Sequence, residues 1–114
     1  GFLAFAEAGC AAAVVEVGLG GDFDATNVVD PVASVVTRMD LEHTAVLGDT
    51  LPAIAAAKAG IVKPGRPVVV GANREDVVAV VAEAARRQGS PLLRADRDFF
   101  GSGRWTGCTL TGPW

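Results

Sequence analysis

Apolar positions along the chain fall into short β-branched runs separated by Ala-rich stretches with helical spacing. Phe2, Leu3, Phe5 and Ala6 repeat at helical intervals, and Gly9 supplies a stop. Ala12 to Val17 is an apolar run of strand length, broken only by Glu16. Gly18 to Asp30 is polar and Gly-rich and ends at Pro31. Val32 to Thr37 predicts a second buried strand, and Arg38 to Asp49 reads as loop. Thr50 is placed to cap a helix whose first turn holds Pro52, running through Ala53 to Lys58 and stopping at Gly60. Pro64-Gly65 is a turn, and Arg66 to Gly71 predicts a third strand. Asn73 is placed to cap the next helix, with Glu75 and Asp76 in its first turn, where the helix dipole favours them. Val77, Val80, Val81 and Ala84 give that helix its buried stripe, and Gly89 ends it. Pro91 to Arg94 is a short fourth strand. Arg97 to Trp114 has no strong period and reads as loop or β-ribbon.

Strands alternating with helices are the rhythm of an open, mostly parallel α/β sheet with helices on both faces. Such sheets bind ligands at the carboxyl ends of their strands, so the residues just after each strand come first in the search for a site. At 114 residues the chain holds one domain at most, taking ~100–150 residues per domain. It is 50% hydrophobic and 20% charged, which excludes disorder. A net charge of -3, with no basic patch longer than Arg86-Arg87, excludes a basic nucleic-acid module. No apolar run reaches the ~18–20 residues that span a bilayer. Cys10 and Cys108 lie far apart with no C-x-x-C, so neither a zinc site nor a redox motif is expected, and free thiols in a reducing cytosol are. There is no repeat and no low-complexity linker. The start at Gly1-Phe2-Leu3, inside an apolar helical pattern and without a charged leader, gives the expectation of an internal piece of a longer polypeptide.

Three residues after the strands could carry chemistry. Glu16 sits at the end of a Val-rich run, where a carboxylate is rare unless paired or bound to a cation. The plainer alternative is a carboxylate held by backbone amides or an Arg. His43, the one histidine, follows the second strand. In a parallel sheet its loop opens on the same edge as that of Glu16, so the two could share a divalent cation. A lone histidine is more often a plain surface or core residue. Lys58 lies late in an Ala-rich helix, where the dipole alone would favour a cation. Partly buried, its neutral amine could instead react with carbonyl compounds, including carbon dioxide. Gly18-Leu19-Gly20-Gly21 invites a dinucleotide-binding reading. Against it, Phe23 occupies the third small position and Asp22 to Pro31 lacks a helical period. No G-x-x-x-x-G-K-[ST] loop occurs.

Taken in order, the motifs are specific. Phe2-Leu3-Ala4-Phe5-Ala6-Glu7, Val14-Val15-Glu16-Val17-Gly18-Leu19-Gly20-Gly21, Asp24-Ala25-Thr26-Asn27-Val28-Val29, Leu41-Glu42-His43-Thr44, Leu47-Gly48-Asp49-Thr50 and Ile54 to Gly65 closely resemble the folylpolyglutamate synthase and dihydrofolate synthase family of the Mur ligase superfamily. The resemblance is strong from Phe2 to about Gly71, reaches fold level through Phe99, and is vague beyond.

The resemblance implies a three-layer α/β fold, with residues 1–114 forming a fragment of the P-loop-type central ATPase domain, its phosphate loop and C-terminal domain lying elsewhere. It implies an ATP- and magnesium-dependent carbon–nitrogen ligase of folate biosynthesis and one-carbon metabolism. Such a ligase adds L-glutamate to dihydropteroate or a folate through an acyl phosphate. Glu16 and His43 correspond to the family's magnesium ligands, Lys58 to its carbamylated lysine, and Phe23, Asp24 and Ala25 to its pterin site, with Asn27 beside them. Asp22 stands where family members often have Arg, and Glu42 where they often have Asp. The first change alters charge beside the folate site and leaves substrate preference open. The expected parent is cytoplasmic and monomeric, with no nucleic-acid or membrane partner, and the isolated chain is expected to be inactive. The alternatives are another Mur-type amino-acid ligase and, in a different class, a nucleotide-cofactor module of an oxidoreductase.

Overall fold

The computed structural model describes residues 1–41 and 44–98. Three short strands form one parallel sheet in chain order: β1 (Ser34–Val36), β2 (Val68–Val70) and β3 (Leu92–Arg94). Each lies inside a run the sequence marks as strand. Register aligns Val35 with Val69 and Val69 with Leu93. Pro67 and Pro91 have no amide to give to the ladder, yet each joins it through its carbonyl. Ser34 N donates to Pro67 O at 3.0 Å and Val68 N to Pro91 O at 2.9 Å. Gly71 N to Val36 O and Ala95 N to Val70 O, both 2.8 Å, close the far ends.

Two crossovers connect the strands. The first passes through α2 (Thr44–Leu47), within the stretch expected to be loop, then α3 (Leu51–Lys58) and a tight 3-10 turn (Ala59–Ile61). The second is α4 (Glu75–Arg87). Right-handed crossovers between strands in the order 1-2-3 put their helices on one face of the sheet. Ile54 and Ala55 of α3, Val77, Val78, Val81 and Ala85 of α4, and Val36, Val68 and Val70 of the sheet form that core. Ser34, also buried, donates from Oγ to the Ile61 carbonyl at 2.8 Å. The opposite face carries Val35, 58% exposed, and Leu93, 37% exposed. The described residues thus supply the parallel sheet and one of the expected helical layers.

Local chemistry explains the helix ends. Thr50 Oγ1 accepts from Ala53 N at 3.3 Å with Pro52 in the first turn, as expected. At the far end the chain tightens into the 3-10 turn instead of stopping at Gly60. Asn73 does not cap α4; Arg74 occupies the cap position without a side-chain bond. The Asn73 carboxamide is committed elsewhere: Nδ2 donates to the carbonyls of Thr37 (3.1 Å) and Gly71 (3.0 Å), and Oδ1 accepts from Met39 N (2.8 Å). It binds together the carboxyl ends of β1 and β2. The buried stripe of α4 is Val77, Val78, Val81 and Ala85, with Val80 and Ala84 half-buried at its rim. Arg94, at the end of β3, reaches back to Glu75 at the start of α4 (2.8 Å) and to Asp96 (2.8 Å).

Two further expectations meet a different structure. The first helix is present as α1 (Phe2–Glu7), but none of its residues is buried. Ala12 to Val17 does not form a strand. A strand exists only where a neighbour completes its backbone hydrogen bonds, and this run has no ladder partner among the described residues; Val14 is fully exposed.

Candidate functional site

The Gly-rich stretch after Val17 is folded by one carboxylate. Asp24 accepts from Gly18 N (3.1 Å), Leu19 N (3.0 Å), Thr26 N (2.9 Å) and Thr26 Oγ1 (2.5 Å). It thereby caps a 3-10 helix over Ala25–Val28 and curls residues 18–24 into a closed loop. The Thr26 hydroxyl first, then the Thr26 and Leu19 amides, stabilise the charged form and lower the Asp24 pKa to about 2.

This loop is seated on the end of α3. A methyl on Gly21 would lie 2.7 Å from the Ala57 carbonyl oxygen and 2.8 Å from that of Lys58. A methyl on Gly60 would lie 2.7 Å from both N and Cα of Asp22. Only glycine permits an approach this close from both sides. Asn27 bridges the seam: its Nδ2 donates to the carbonyls of Asp22 (3.0 Å) and Gly60 (3.3 Å). Lys63 Nζ donates to the Asn27 carbonyl at 2.8 Å.

The structure therefore brings two groups of sequence-marked residues together. Phe23, Asp24 and Ala25 lie on the loop, and Lys58, half-buried, ends the helix on which the loop rests. Phe23 projects fully exposed, while the Asp24 carboxylate is turned inward. Loop and helices border an open groove of about 1040 Å³, lined among others by Leu19, Phe23, Leu47, Ala57 and Val80. Glu16 is exposed, two residues before the amide of Gly18 that Asp24 holds. His43 lies outside the described residues, and among the described residues no three His, Cys, Asp or Glu side chains gather as a metal-binding group. Cys10 is an exposed free thiol; Cys108 also lies outside the described residues.

Sequence reasoning did not single out Lys63, and it took Gly21 as part of a glycine-rich motif and Gly60 as a helix stop; the roles of all three arise from partners distant in the chain. The dinucleotide reading finds no support in the backbone. It needs an α-helix opening directly after the glycines, and a four-residue 3-10 helix follows instead.

Known proteins resemble the chain in sequence and in fold. No family model matches the chain. It is 55% identical over 87 residues to a folylpolyglutamate synthase of Lacticaseibacillus casei, covering 76% of this chain and 20% of that protein. It is 42% identical over 79 residues to a dihydrofolate synthase/folylpolyglutamate synthase of Bacillus subtilis, covering 69% of this chain and 18% of the other. Against the solved FPGS–AMPPCP–folate complex the TM-score is 0.81 at 49% identity, over 84% of this chain and 23% of the neighbour. The chain belongs to the folylpolyglutamate synthase and dihydrofolate synthase family. Its parallel open sheet is that of the family's Mur ligase-type fold. The chain spans about a fifth of the length of these relatives.

Proposed function

We propose that this chain is part of the central, nucleotide-handling domain of an ATP-dependent ligase that joins L-glutamate to dihydropteroate or to a folate. The observation that carries this reading is the TM-score of 0.81 at 49% identity to a ligase solved with a nucleotide analogue and folate. In the proposed reaction the γ-phosphoryl group of ATP passes to a substrate carboxylate and ADP leaves. The glutamate amine then attacks the acyl phosphate, an amide forms, and phosphate departs with the amine's proton lost to solvent. Such a sequence calls mainly for positioning and charge neutralisation.

The residues divide that work. Phe23 offers an exposed aromatic face for a planar heterocycle, beside Ala25 on a loop held in shape by Asp24. Lys58, reacting as its neutral amine, takes up carbon dioxide, releases a proton and becomes an anionic carbamate. Glu16 and that carbamate are hard oxygen donors of the kind magnesium takes, and His43 completes the proposed set. Magnesium held there would neutralise charge on the transferring phosphates. The enzyme is proposed to work in the cytoplasm as a monomer; among the described residues no helix is long and apolar enough to cross a membrane.

Lys58→Ala tests the carbamate. Activity of the complete ligase should be lost, and a small carboxylic acid with bicarbonate should restore part of it. Full activity of the unrescued variant would sink the assignment. The 114 residues contain no G-x-x-x-x-G-K-[ST] phosphate loop, so the chain alone should show no ATP-dependent glutamate ligation. Measurable turnover by the chain alone would contradict that.

A further inference from the structure

The Asp24 carboxylate gives the 18–26 loop its shape, but among the described residues it accepts only from groups within residues 18–26. Placement falls to Asn27. Its carboxamide nitrogen is shared between the carbonyl of Asp22, next to Phe23, and that of Gly60, two residues past Lys58. Its amide donates to the Asp24 carbonyl at 2.9 Å, which joins it to the clamp. Its carbonyl takes the Lys63 ammonium from beyond the 3-10 turn. One side chain thus spans from the backbone beside the exposed aromatic to the backbone beside the helix-terminal lysine. The close approach of Gly60 to Asp22 leaves the seam no slack, so the two sides move as one body or separate.

We infer that Asn27 is a positioning residue: it sets the substrate-facing loop carrying Phe23 in register with the end of α3 carrying Lys58. This rests on the functional reading of Phe23 and Lys58 given above; the mechanical linkage itself does not.

Two variants attack the seam from opposite sides. Asn27→Asp keeps the shape of the side chain and removes both donations. Gly60→Ala leaves Asn27 intact and pushes against Asp22. Amide hydrogen exchange on the 114-residue chain reads the linkage. Exchange at the Asp24, Thr26 and Asn27 amides should speed up at least tenfold in both variants, while Val78 and Val81 in α4 keep their rates. Unchanged loop exchange in both variants overturns the inference.

Steady-state kinetics of the complete ligase reads the consequence. With Asn27→Asp, KM for the folate-class substrate should rise about tenfold, the scale of one or two lost net hydrogen bonds, while KM for ATP stays within about twofold. A fall in kcat with both KM values unchanged is what mere loss of folded enzyme gives, and it also overturns the inference. If the unaltered ligase transfers no glutamate, the proposed function fails, and the exchange experiment still decides the linkage.

Discussion

Replacing Gly21 by Ala measures how tightly the loop is seated. The added methyl would stand 2.7 Å from the Ala57 carbonyl oxygen, 2.8 Å from that of Lys58 and 3.0 Å from Ile61 Cγ2. A relaxed carbon–oxygen contact is about 3.3 Å or more, so both carbonyls or the loop must retreat by about 0.5 Å. The carbonyls belong to the last turn of α3, which is anchored by the fully buried Ile54 and Ala55. Forcing atoms into a packed site of this kind costs about 1–3 kcal/mol. One effect opposes it: the backbone of Gly21 is not in the left-handed region, so alanine restricts the unfolded chain and returns about 0.4–1 kcal/mol. The net expectation is a loss of about 1–2 kcal/mol, or roughly 5–15 °C in Tm for a domain near this size. Gly89→Ala is the contrast. Its φ is +60° with open space around it, so it should lose stability through backbone strain alone, about 1–2 kcal/mol. Calorimetry reads both losses, and amide exchange separates them: Gly21→Ala should speed exchange at Gly18 and Leu19, and Gly89→Ala should not. A Gly21→Ala variant with unchanged Tm and unchanged loop exchange would refute the seam.

Two other measurements bear on the same architecture. Asp24 is held at about pH 2 against an ordinary 3.8, chiefly by the Thr26 hydroxyl; a depressed carboxyl stabilises the folded loop above about pH 4 and loses that contribution as pH falls through 2. Its carbon-detected NMR titration should show that low midpoint and move upward in Thr26→Val, whereas a midpoint at the ordinary value in the unaltered chain would show the clamp to be unformed. Val35→Lys places a charge on an edge strand at a position 58% exposed, so light scattering should report less self-association at a stability cost of about 1 kcal/mol or less; a larger drop in Tm would mean that this face is packed.

What the sequence disclosed, and what it hid, divides along the distance between interacting residues. The Thr50 cap, the Val-rich strands and the stop at Gly89 were legible because each signal lies within a few residues of its effect. Ala12 to Val17 carries the same kind of apolar signal as β2, yet only β2 has neighbours on both sides to complete its hydrogen bonds. Asn73 was legible as a residue with a local task, but a capping carboxamide and one that ties two strand ends look identical in sequence. On α4 the period was right and its phase was off: tertiary contact with the sheet and α3 selects Val78 and Ala85 over Val80 and Ala84. Phe23, Asp24 and Ala25 were marked by family resemblance, and Lys58 both by its place late in an Ala-rich helix and by that resemblance. That resemblance grouped Asp24 with Phe23, whereas the geometry gives them opposite orientations, one carboxylate inward and one ring outward.

That opposition follows from a conflict built into the loop. Close seating on α3 requires Gly21 and Gly60, because any side chain at either position meets backbone. Glycine also carries the largest conformational freedom to be lost on folding, so a stretch containing Gly18, Gly20 and Gly21 would wander if left to itself. A binding surface that wanders must be ordered by its ligand, and affinity falls by that cost. Asp24 and Asn27 resolve the conflict before any ligand arrives, the first by holding amides within the loop and the second by fixing the loop to its helix. The residues that set the accuracy of such a site are therefore the ones whose polar atoms are already spent on the protein. Phe23 can present its face in a fixed place only because its neighbours face the other way.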